Sequence, residues 1–387
     1  MFNIQLMNKI AAVGTKRFGT DLYNVGESID APDGIMVRSA DLHSYETKDN
    51  LLAVARAGAG VNNIPVDQYS EKGIVVFNTP GANANAVKEL AICALFLASR
   101  KITEGINWAN TLKDSPDAAK DVEKGKGAFV GPEISGKKLG IIGLGAIGVQ
   151  LANACVHLGM EVYGFDPYIT VDAAWALSKT VKHAASREDI FKECDYISIH
   201  VPSTAETKGM INKDSIATMK DGVRILNLAR ADLVKSDDIK EALESGKVAS
   251  YVTDFPTNDI IGAKNVIAIP HLGASTPESE DNCAKMASTQ LADYLENGNI
   301  KNSVNFPDMF LPESDCARIL IFHKNIPSML AQISAALSDE KINIENMINR
   351  SKKDNACTLI ETSTVIAGEL KQKLLAIDGV VKVRIIK

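Results

Sequence analysis

Short apolar runs alternate with polar, helix-capable segments along most of this 387-residue chain. In roughly the first hundred residues the runs predict strands at Ile10–Val13, Gly34–Val37, Leu51–Ala55 and Ile74–Phe77. Six later runs also predict strands: Leu139–Ile142, Glu161–Phe165, Tyr196–Val201, Arg224–Leu228, Val248–Thr253 and Asn265–Ile269. This alternation is typical of parallel sheets with helices on their faces.

Two longer helical patterns and a polar segment divide this region. Asn85–Ser99 is apolar at helical spacing and long enough to pass between two domains, and the polar segment Lys101–Gly131 follows as a surface connection. Pro277–Asn297 predicts a long helix that returns to the first domain. The predicted domains are a discontinuous first domain of residues 1–97 and 275–305 and a nucleotide-binding domain of residues 98–274.

The C-terminal part has a different rhythm. Residues 298–315 are rich in Pro and Asn and predict a linker. Residues 316–387 predict strand, helix, strand, strand, helix, strand, which is the ferredoxin-like order. The predicted fold class is therefore α/β, with two doubly wound parallel-sheet domains (the first flavodoxin-like, the second a Rossmann fold) and a small C-terminal ferredoxin-like domain.

A glycine-rich turn lies where a dinucleotide would bind. Gly143, Gly145 and Gly148 have the spacing G-x-G-x-x-G between a predicted strand and a helix. The helix N-terminus supplies N–H groups for a pyrophosphate, and Asp166 ends the next strand, where a carboxylate binds the ribose diol of NAD. The pattern predicts NAD as cofactor, in preference to NADP.

Polar side chains follow four later strand ends of the same domain. Arg230 follows one strand and can bind a carboxylate or carbonyl oxygen with its planar fork of donors. His271 follows the last strand, and its imidazole can donate and accept a proton near neutral pH. The other residues at these ends are Pro202, Ala229, Asp254, Leu272, Gly273 and Ala274. Hydride transfer to or from a nicotinamide is the predicted reaction type.

The loops of the first domain predict a substrate site. Ligands of such sheets bind at the carboxyl ends of the strands. The candidate substrate-binding residues there are Arg38, Ser39, Gly58, Ala59, Gly60 and Asn83. Gly58 and Gly60 expose backbone N–H groups that can bind a carboxylate.

Composition narrows the class of protein. The formal charge is −6 and the sequence contains no Lys/Arg cluster, which argues against nucleic acid as a partner. No signal peptide or membrane span is predicted. The six cysteines are scattered without C-x-x-C spacing, which favours free thiols in a reducing cytoplasm over disulfides or a metal site.

Seven segments together resemble the D-2-hydroxyacid dehydrogenase family, and the resemblance covers nearly the whole chain. The segments are RAGAGVNNI (56–64), VVFNTPGANANAVKELA (75–91), LGIIGLGAIG (139–148), VYGFDP (162–167), HVPSTAETKGMI (200–211), LNLARADLV (226–234) and IPHLGAST (269–276). The resemblance implies that Arg230 binds the substrate and that His271 is the acid/base. It also implies NAD contacts at Ala146, Ile147, Asp166, Leu228, Ala229 and the turn from His271 to Ala274.

One departure from the family concerns the partner of the histidine. The family's D-V-F-x-x-E-P carries a glutamate that orients the histidine, whereas this chain has Asn258 in that position. Asp254 and Asp259 are the alternative carboxylates, with Asp254 a candidate both for catalysis and for the cofactor-facing aspartate. Lys88, where the family has a small residue, is a third candidate for compensation, and the sequence leaves these open.

The C-terminal segment resembles an ACT regulatory domain, with His323, Asn325 and Asn343 matching an effector site for L-serine. Ser328 replaces the common glycine of its turn. The two resemblances together imply NAD-dependent oxidation of 3-phospho-D-glycerate at the entry to L-serine synthesis, by a homodimer or homotetramer. The alternatives are a reductase or dehydrogenase for another D-2-hydroxyacid, such as glyoxylate or hydroxypyruvate, and a non-catalytic dinucleotide sensor.

Overall fold

Two compact units make up the protein. The computed structural model describes residues 1–364 and 368–386. The first unit combines Met1–Ala82 with Glu280–Lys387, and the second is the continuous segment Asn83–Ser279. Positions 365–367 and 387, which fall within the predicted C-terminal domain, lie outside the described residues.

The N-terminal sheet of the first unit has five parallel strands in the order β2-β1-β3-β4-β5. The strands are β1 (Phe2–Met7), β2 (Tyr23–Gly26), β3 (Gly34–Val37), β4 (Ala53–Arg56) and β5 (Val75–Phe77). Two short helices, α1 (Ala12–Thr15) and α2 (Val66–Glu71), connect them. The strand order is the flavodoxin-like one, which confirms the predicted class of this sheet.

The predicted strand at Ile10–Val13 is wrong. Residues Phe2–Met7 form the strand instead, and the chain turns at Asn8, whose φ is 69°. The segment after it contains Ala11 and Ala12, which favour helix over strand, and α1 begins at Ala12. The strand β1 was missed because polar Asn3 and Gln5 interrupt its apolar residues.

The second unit is built around seven parallel strands in the order β12-β11-β10-β9-β6-β7-β8. The strands are β6 (Lys138–Ile142), β7 (Glu161–Phe165), β8 (Lys182–His183), β9 (Tyr196–Ile199), β10 (Val223–Asn227), β11 (Val248–Thr253) and β12 (Val266–Ala268). The helices are α3 (Ala84–Ser99), α4 (Ile102–Thr111), α5 (Ala118–Gly125), α6 (Ala146–His157), α7 (Val171–Ala176), α8 (Arg187–Glu193), α9 (Lys213–Thr218) and α10 (Ser236–Ser245), with 3₁₀ turns at Lys126–Phe129 and Ala231–Leu233. The order reverses between β6 and β9, which is the switch point where such sheets bind dinucleotides.

The C-terminal sheet is antiparallel, with the strand order β14-β15-β13-β16. After helix α11 (Pro277–Asn297), its elements are β13 (Ala317–Lys324), α12 (Met329–Asp339), β14 (Ile344–Lys352), β15 (Asn355–Thr362), α13 (Gly368–Leu375) and β16 (Val380–Ile386). The two helices pack on one face, where Ile319, Ile321, Ile333 and Leu374 are buried together. The predicted ferredoxin-like architecture is therefore present.

The opposite face of this antiparallel sheet shares a core with the N-terminal sheet. Leu320, Phe322 and Leu359 belong to the same buried cluster as Ile4 and Phe77. Helix α11 contributes Ala287, Leu291, Tyr294 and Leu295 to that cluster. The antiparallel sheet is thus covered on both faces, by its own helices and by the N-terminal part of the chain.

Candidate active site

The turn between β6 and α6 is shaped by its glycines. Gly143 has φ 98°, and a Cβ there would lie 2.6 Å from the carbonyl oxygen of His200. A Cβ on Gly148 would lie 2.0 Å from the carbonyl oxygen of Gly143, so the helix packs against the turn only with glycine at this position. At Gly145 an added Cβ would meet open space, because the turn faces outward there.

This turn fits the phosphates of a dinucleotide. Helix α6 begins at Ala146 directly after Gly145, so the first N–H groups of the helix are directed to the open space. At the end of β7, the two carboxylate oxygens of Asp166 accept the N–H groups of Leu144 and Tyr168, both at 2.8 Å. These bonds hold the carboxylate beside the turn, and each oxygen retains a lone pair for a ribose hydroxyl.

We expect Asp166→Ala to lower the ratio of NAD to NADP affinity by about 10- to 100-fold, because a hydrogen bond to a charged group contributes about 1.5–3 kcal/mol. The carboxylate also repels a 2′-phosphate, so NADP should bind better to the variant. Titration calorimetry with both nucleotides measures the ratio. Asp172→Ala, in the first turn of α7, is the control, and an unchanged ratio in Asp166→Ala would contradict the assignment.

The loop that carries Arg230 is held from within the sheet. Asn227, fully buried at the end of β10, accepts the N–H groups of Ala229 and Arg230 at 3.2 and 3.3 Å. Its side-chain N–H donates to the carbonyl of Arg230 at 2.8 Å. The backbone around Arg230 is therefore fixed, while its guanidinium remains exposed and donates to the carbonyl of Ala229 at 2.7 Å.

The turn that carries His271 is held by a carboxylate. His271 has φ 52°, a left-handed conformation that is uncommon for a residue with a side chain. Asp254, at the end of β11, accepts the N–H groups of Leu272 and Gly273 at 2.7 and 2.8 Å. These two bonds fix the turn and leave the imidazole exposed at the edge of the sheet.

Asp254 is buried, with 1% of its surface exposed. Burial raises the pKa of its carboxyl above the usual range, although the N–H groups of Gly273 and Leu272 and the charge of His271 act in the opposite direction. Its carboxylate accepts two backbone N–H groups of the turn, which identifies it as the residue that shapes the turn. Asp254 therefore acts on His271 through the backbone.

The other two candidates have different partners. Hydrogen bonds from Thr257 and Ser236 lower the pKa of Asp259, which is exposed. Lys88 donates to Asn85 at 2.7 Å and lies 3.8 Å from a carboxylate oxygen of Glu89, both within α3. Asn258 is exposed.

The aromatic ring of Phe255 contacts both Arg230 and His271. Its centroid lies 4.5 Å from that of the His271 ring, with the two planes tilted by 45°. The central carbon of the Arg230 guanidinium lies over the same ring at 5.4 Å. One side chain thus brings together the two residues that the sequence predicts for chemistry.

The remaining residues predicted for the nucleotide site lie around these loops. Leu228, which follows Asn227 in the chain, is buried, whereas Ala229 is half-buried. The carbonyl of Pro202 accepts the hydroxyl of Thr207 at 2.6 Å, which closes the loop after β9. Two further predicted residues, Ala146 and Ile147, are the first residues of α6. Gly273 and Ala274 lie in the turn after β12, at the carboxyl edge of the sheet.

The predicted substrate residues fall in both units. In the first unit, Arg38 forms an ion pair with Glu280 at 2.7 Å, and the N–H of Ser39 donates to Asn8 at 3.1 Å. The loop of Gly58, Ala59 and Gly60 follows β4 and is tied to the next loop by the bond from Asn78 to the carbonyl of Ala59, 2.7 Å. In the second unit, Asn83 directly precedes α3.

The three predicted effector residues have separate partners. The buried ring of His323 contacts the Thr358 hydroxyl at 2.9 Å and the carbonyl of Lys324 at 2.8 Å. Asn325 donates to the carbonyl of Lys353 at 3.1 Å, and Asn343 donates to Glu345 at 3.0 Å. Both asparagines are exposed.

Sequence reasoning missed Asn227 and Phe255. A polar residue inside the apolar run of β10 is the signal for Asn227, because buried amides are retained where they satisfy backbone groups. The signal for Phe255 is its place in the family pattern D-V-F-x-x-E-P, where it coincides with the phenylalanine. The distances from its ring to Arg230 and His271 then show what the side chain contacts.

The chain is similar to several known proteins. The model for the NAD-binding domain of D-isomer specific 2-hydroxyacid dehydrogenases matches residues 95–273. A D-3-phosphoglycerate dehydrogenase of Haemophilus influenzae is 31% identical over 356 residues, which is 88% of this chain and 82% of that protein. The corresponding enzyme of Bacillus subtilis is 32% identical over 357 residues, 88% of this chain and 64% of that protein.

Solved structures show the same fold. The NAD⁺-bound 3-phosphoglycerate dehydrogenase of Entamoeba histolytica aligns with a TM-score of 0.61 at 25% identity, covering 80% of this chain and 99% of that chain. The apo D-mandelate dehydrogenase of Rhodotorula graminis aligns with a TM-score of 0.67 at 22% identity, covering 81% of this chain and 99% of that chain. At 22% identity, the second likeness supports the fold alone.

Proposed function

The chain belongs to the D-isomer specific 2-hydroxyacid dehydrogenase family and is an NAD-dependent oxidoreductase, and on that premise we propose that it oxidises 3-phospho-D-glycerate to 3-phosphohydroxypyruvate, the entry step of L-serine synthesis. The observation that carries the proposal is the placement of Arg230 and His271 against one aromatic ring, in the same unit as the dinucleotide turn. The names of the Haemophilus and Bacillus relatives support the choice of substrate.

The chemistry divides between these residues and the cofactor. Bound NAD would supply the acceptor for the hydride on the carbon that carries the hydroxyl. Arg230 binds the carboxylate and the reacting oxygen through its fork of N–H donors. His271 takes the hydroxyl proton on a ring nitrogen, so that the carbonyl forms as the hydride leaves. Arg38 and the loop of residues 58–60, in the first unit, stay predicted substrate-binding residues.

A turnover assay tests the proposal. Purified protein with 3-phosphoglycerate and NAD at alkaline pH is expected to produce NADH, measured by its absorbance. Glyoxylate and hydroxypyruvate with NADH are run in parallel at equal concentrations. Faster turnover of either of these would assign another 2-hydroxyacid, and NAD binding without turnover of any of the three would make the protein a dinucleotide sensor.

L-Serine is the proposed effector of the C-terminal domain. The ferredoxin-like order of β13 to β16 supports this proposal, with Asn325 and Asn343 exposed at strand ends. A regulatory ligand acts only if its affinity differs between two states, and couplings of about 1–3 kcal/mol are typical. Point variants are better suited than deletion of residues 316–387, because that segment supplies part of the core around Ile4 and Phe77.

We expect L-serine to inhibit wild-type turnover, and Asn325→Ala to weaken this inhibition about tenfold, since a hydrogen bond to a charged group contributes about 1.5–3 kcal/mol. Serine titrations at fixed substrate concentration measure the effect. Gln372→Ala, an exposed substitution on α13, is the control. A wild-type enzyme that ignores serine, or an unchanged response in Asn325→Ala, would contradict the proposed effector site.

A homodimer or homotetramer in the cytoplasm completes the proposal. Helices α4 and α5 have no buried residue, and Ile106 and Val130 of that region are 56% and 77% exposed. A second copy of the chain would cover such apolar side chains, and sedimentation equilibrium measures the resulting mass.

All six cysteines are free thiols, as a reducing compartment favours. No helix among residues 1–364 and 368–386 is long and apolar enough to cross a membrane.

A further inference from the structure

Among residues 1–364 and 368–386, no carboxylate forms a hydrogen bond or an ion pair with the imidazole of His271. The glutamate of the family pattern is replaced by exposed Asn258. Asp254 uses its carboxylate for the backbone of Leu272 and Gly273. The imidazole instead packs on Phe255, at a centroid distance of 4.5 Å.

The backbone of Phe255 is well anchored. The N–H of Asp254 donates to the carbonyl of Asn227 at 3.1 Å, and the N–H of Phe255 donates to the hydroxyl of Thr253 at 3.1 Å. Phe255 is half-buried and lies two residues after the end of β11, whose last four residues are buried. Phe255 therefore leaves the sheet in a fixed direction, whereas the side chains of Arg230 and His271 are exposed and long or rotatable.

We infer that Phe255 is a positioning residue for the dehydrogenase reaction, whose ring sets the orientation of both Arg230 and His271. The inference rests on the proposed function, in which these two residues bind and deprotonate the substrate. Both distances lie in the favourable range: interacting aromatic rings have centroids about 4.5–7 Å apart, and a guanidinium within about 6 Å of a ring is attracted to its face.

The contact limits the orientations of two side chains that would otherwise turn freely in solvent. Holding a base and a substrate anchor in one geometry before the substrate arrives removes an entropic cost from the reaction. A carboxylate could in addition exchange a proton or neutralise the imidazolium, which a phenyl ring cannot do. In this chain Asn258 occupies the position of the family's acid, and the imidazole is held by packing on Phe255.

Phe255→Leu keeps an apolar side chain and removes the ring. We expect it to lower kcat by about 10- to 100-fold, a part of the 10²–10⁴-fold that positioned proton transfer contributes. KM should rise as well, because Arg230 also loses its contact. Phe255→Tyr keeps the ring and should restore most of the activity. Phe310→Leu, at an exposed phenylalanine of the first unit, is the matched control and should match wild type.

Double variants separate positioning from a general structural effect. In the His271→Ala background, Phe255→Leu should cause no further loss of kcat, and in the Arg230→Ala background it should cause no further rise of KM. Equal losses in every background would show a structural role and overturn the inference. NAD affinity and the melting temperature of each variant confirm that the unit is folded.

A readout without turnover keeps this inference distinct from the proposed function. Ring protons of His271, identified by their absence in His271→Ala, should have NMR shifts displaced by the Phe255 ring. The displacement should disappear in Phe255→Leu and remain in Phe255→Tyr. If the wild type does not turn over 3-phosphoglycerate but the shifts behave so, the proposed function fails and the positioning stands. Shifts that ignore Phe255→Leu would overturn the positioning.

Discussion

His271→Ala is expected to lower kcat for 3-phosphoglycerate oxidation by about 10²- to 10⁴-fold, with little change in KM. The reason is that the imidazole moves the hydroxyl proton during the reaction, while anchoring of the substrate depends on Arg230. The turn itself should survive the substitution, because Asp254 binds the N–H groups of Leu272 and Gly273 and no atom of the imidazole. Steady-state rates across pH measure the effect.

The matched control is His157→Ala, which changes an exposed histidine at the end of α6. It should keep the rate and the pH profile of the wild type. A His271→Ala enzyme with full activity and the wild-type pH profile would exclude proton transfer by this residue. An equal loss in both variants would point to a general effect on folding.

Arg318→Ala should lower the free energy of unfolding by about 3–5 kcal/mol, because breaking a buried ion pair leaves an uncompensated charge. Arg318 is 1% exposed, and its guanidinium lies 2.7 Å from a carboxylate oxygen of Glu361. It also donates to the carbonyl of Asn297 at 3.0 Å and to that of Pro312. This cluster ties β13 to β15 and to the end of α11.

Urea unfolding measures this loss. Arg17→Ala removes a half-exposed ion pair with Glu296 in the same unit, and should cost about 1 kcal/mol or less. Combining Arg318→Met with Glu361→Leu removes both charges and should be less destabilising than Arg318→Met alone. If the double variant is as unstable as the single one, the cost arises from lost packing and the electrostatic explanation is wrong.

Acid should weaken the same cluster. Burial alone would raise the pKa of Glu361, but hydrogen bonds from Ser314, Asn346 and Arg318 outweigh burial, and the pKa is lowered. The stabilisation from its charge is therefore present above the ordinary glutamate pKa of about 4.3, and is lost as pH falls through the lowered value. In Arg318→Ala this acid-dependent part of the stability should shrink.

Local sequence signals predicted much of the fold. The strand Glu161–Phe165, the strand Val248–Thr253 and the helix Pro277–Asn297 have the predicted bounds, since each is a continuous apolar or amphipathic segment with clear ends. The glycines from Gly143 to Gly148 were equally clear, because their steric requirement is local. The strand at Phe2–Met7 was not, because its alternating polar residues resemble a terminal coil.

The site was predictable only in part. Arg230 and His271 follow strand ends, so the topology of a parallel sheet places them at one edge. The sequence could not determine whether Asp254 would turn to the imidazole or to the backbone, because both lie within reach of a side chain after β11. The shared core was also out of reach, although β13 gives a hint: residues 318–323 are all buried, which requires cover on both faces of the strand.

The discontinuity of the first unit has a consequence for synthesis of the chain. Residues 83–279 form a continuous unit that can fold once they have left the ribosome, whereas the N-terminal sheet lacks its partners until residues 280–387 follow. At about 5–20 residues per second, the roughly 300 residues after position 82 take about 15–60 s. During that interval Ile4, Phe77 and their neighbours have no α11 or β13 to cover them. We expect ribosome-bound chains that are halted after residue 279 has emerged from the ribosome, but before β13 has, to show a protease-resistant central unit behind a protease-sensitive N-terminal segment.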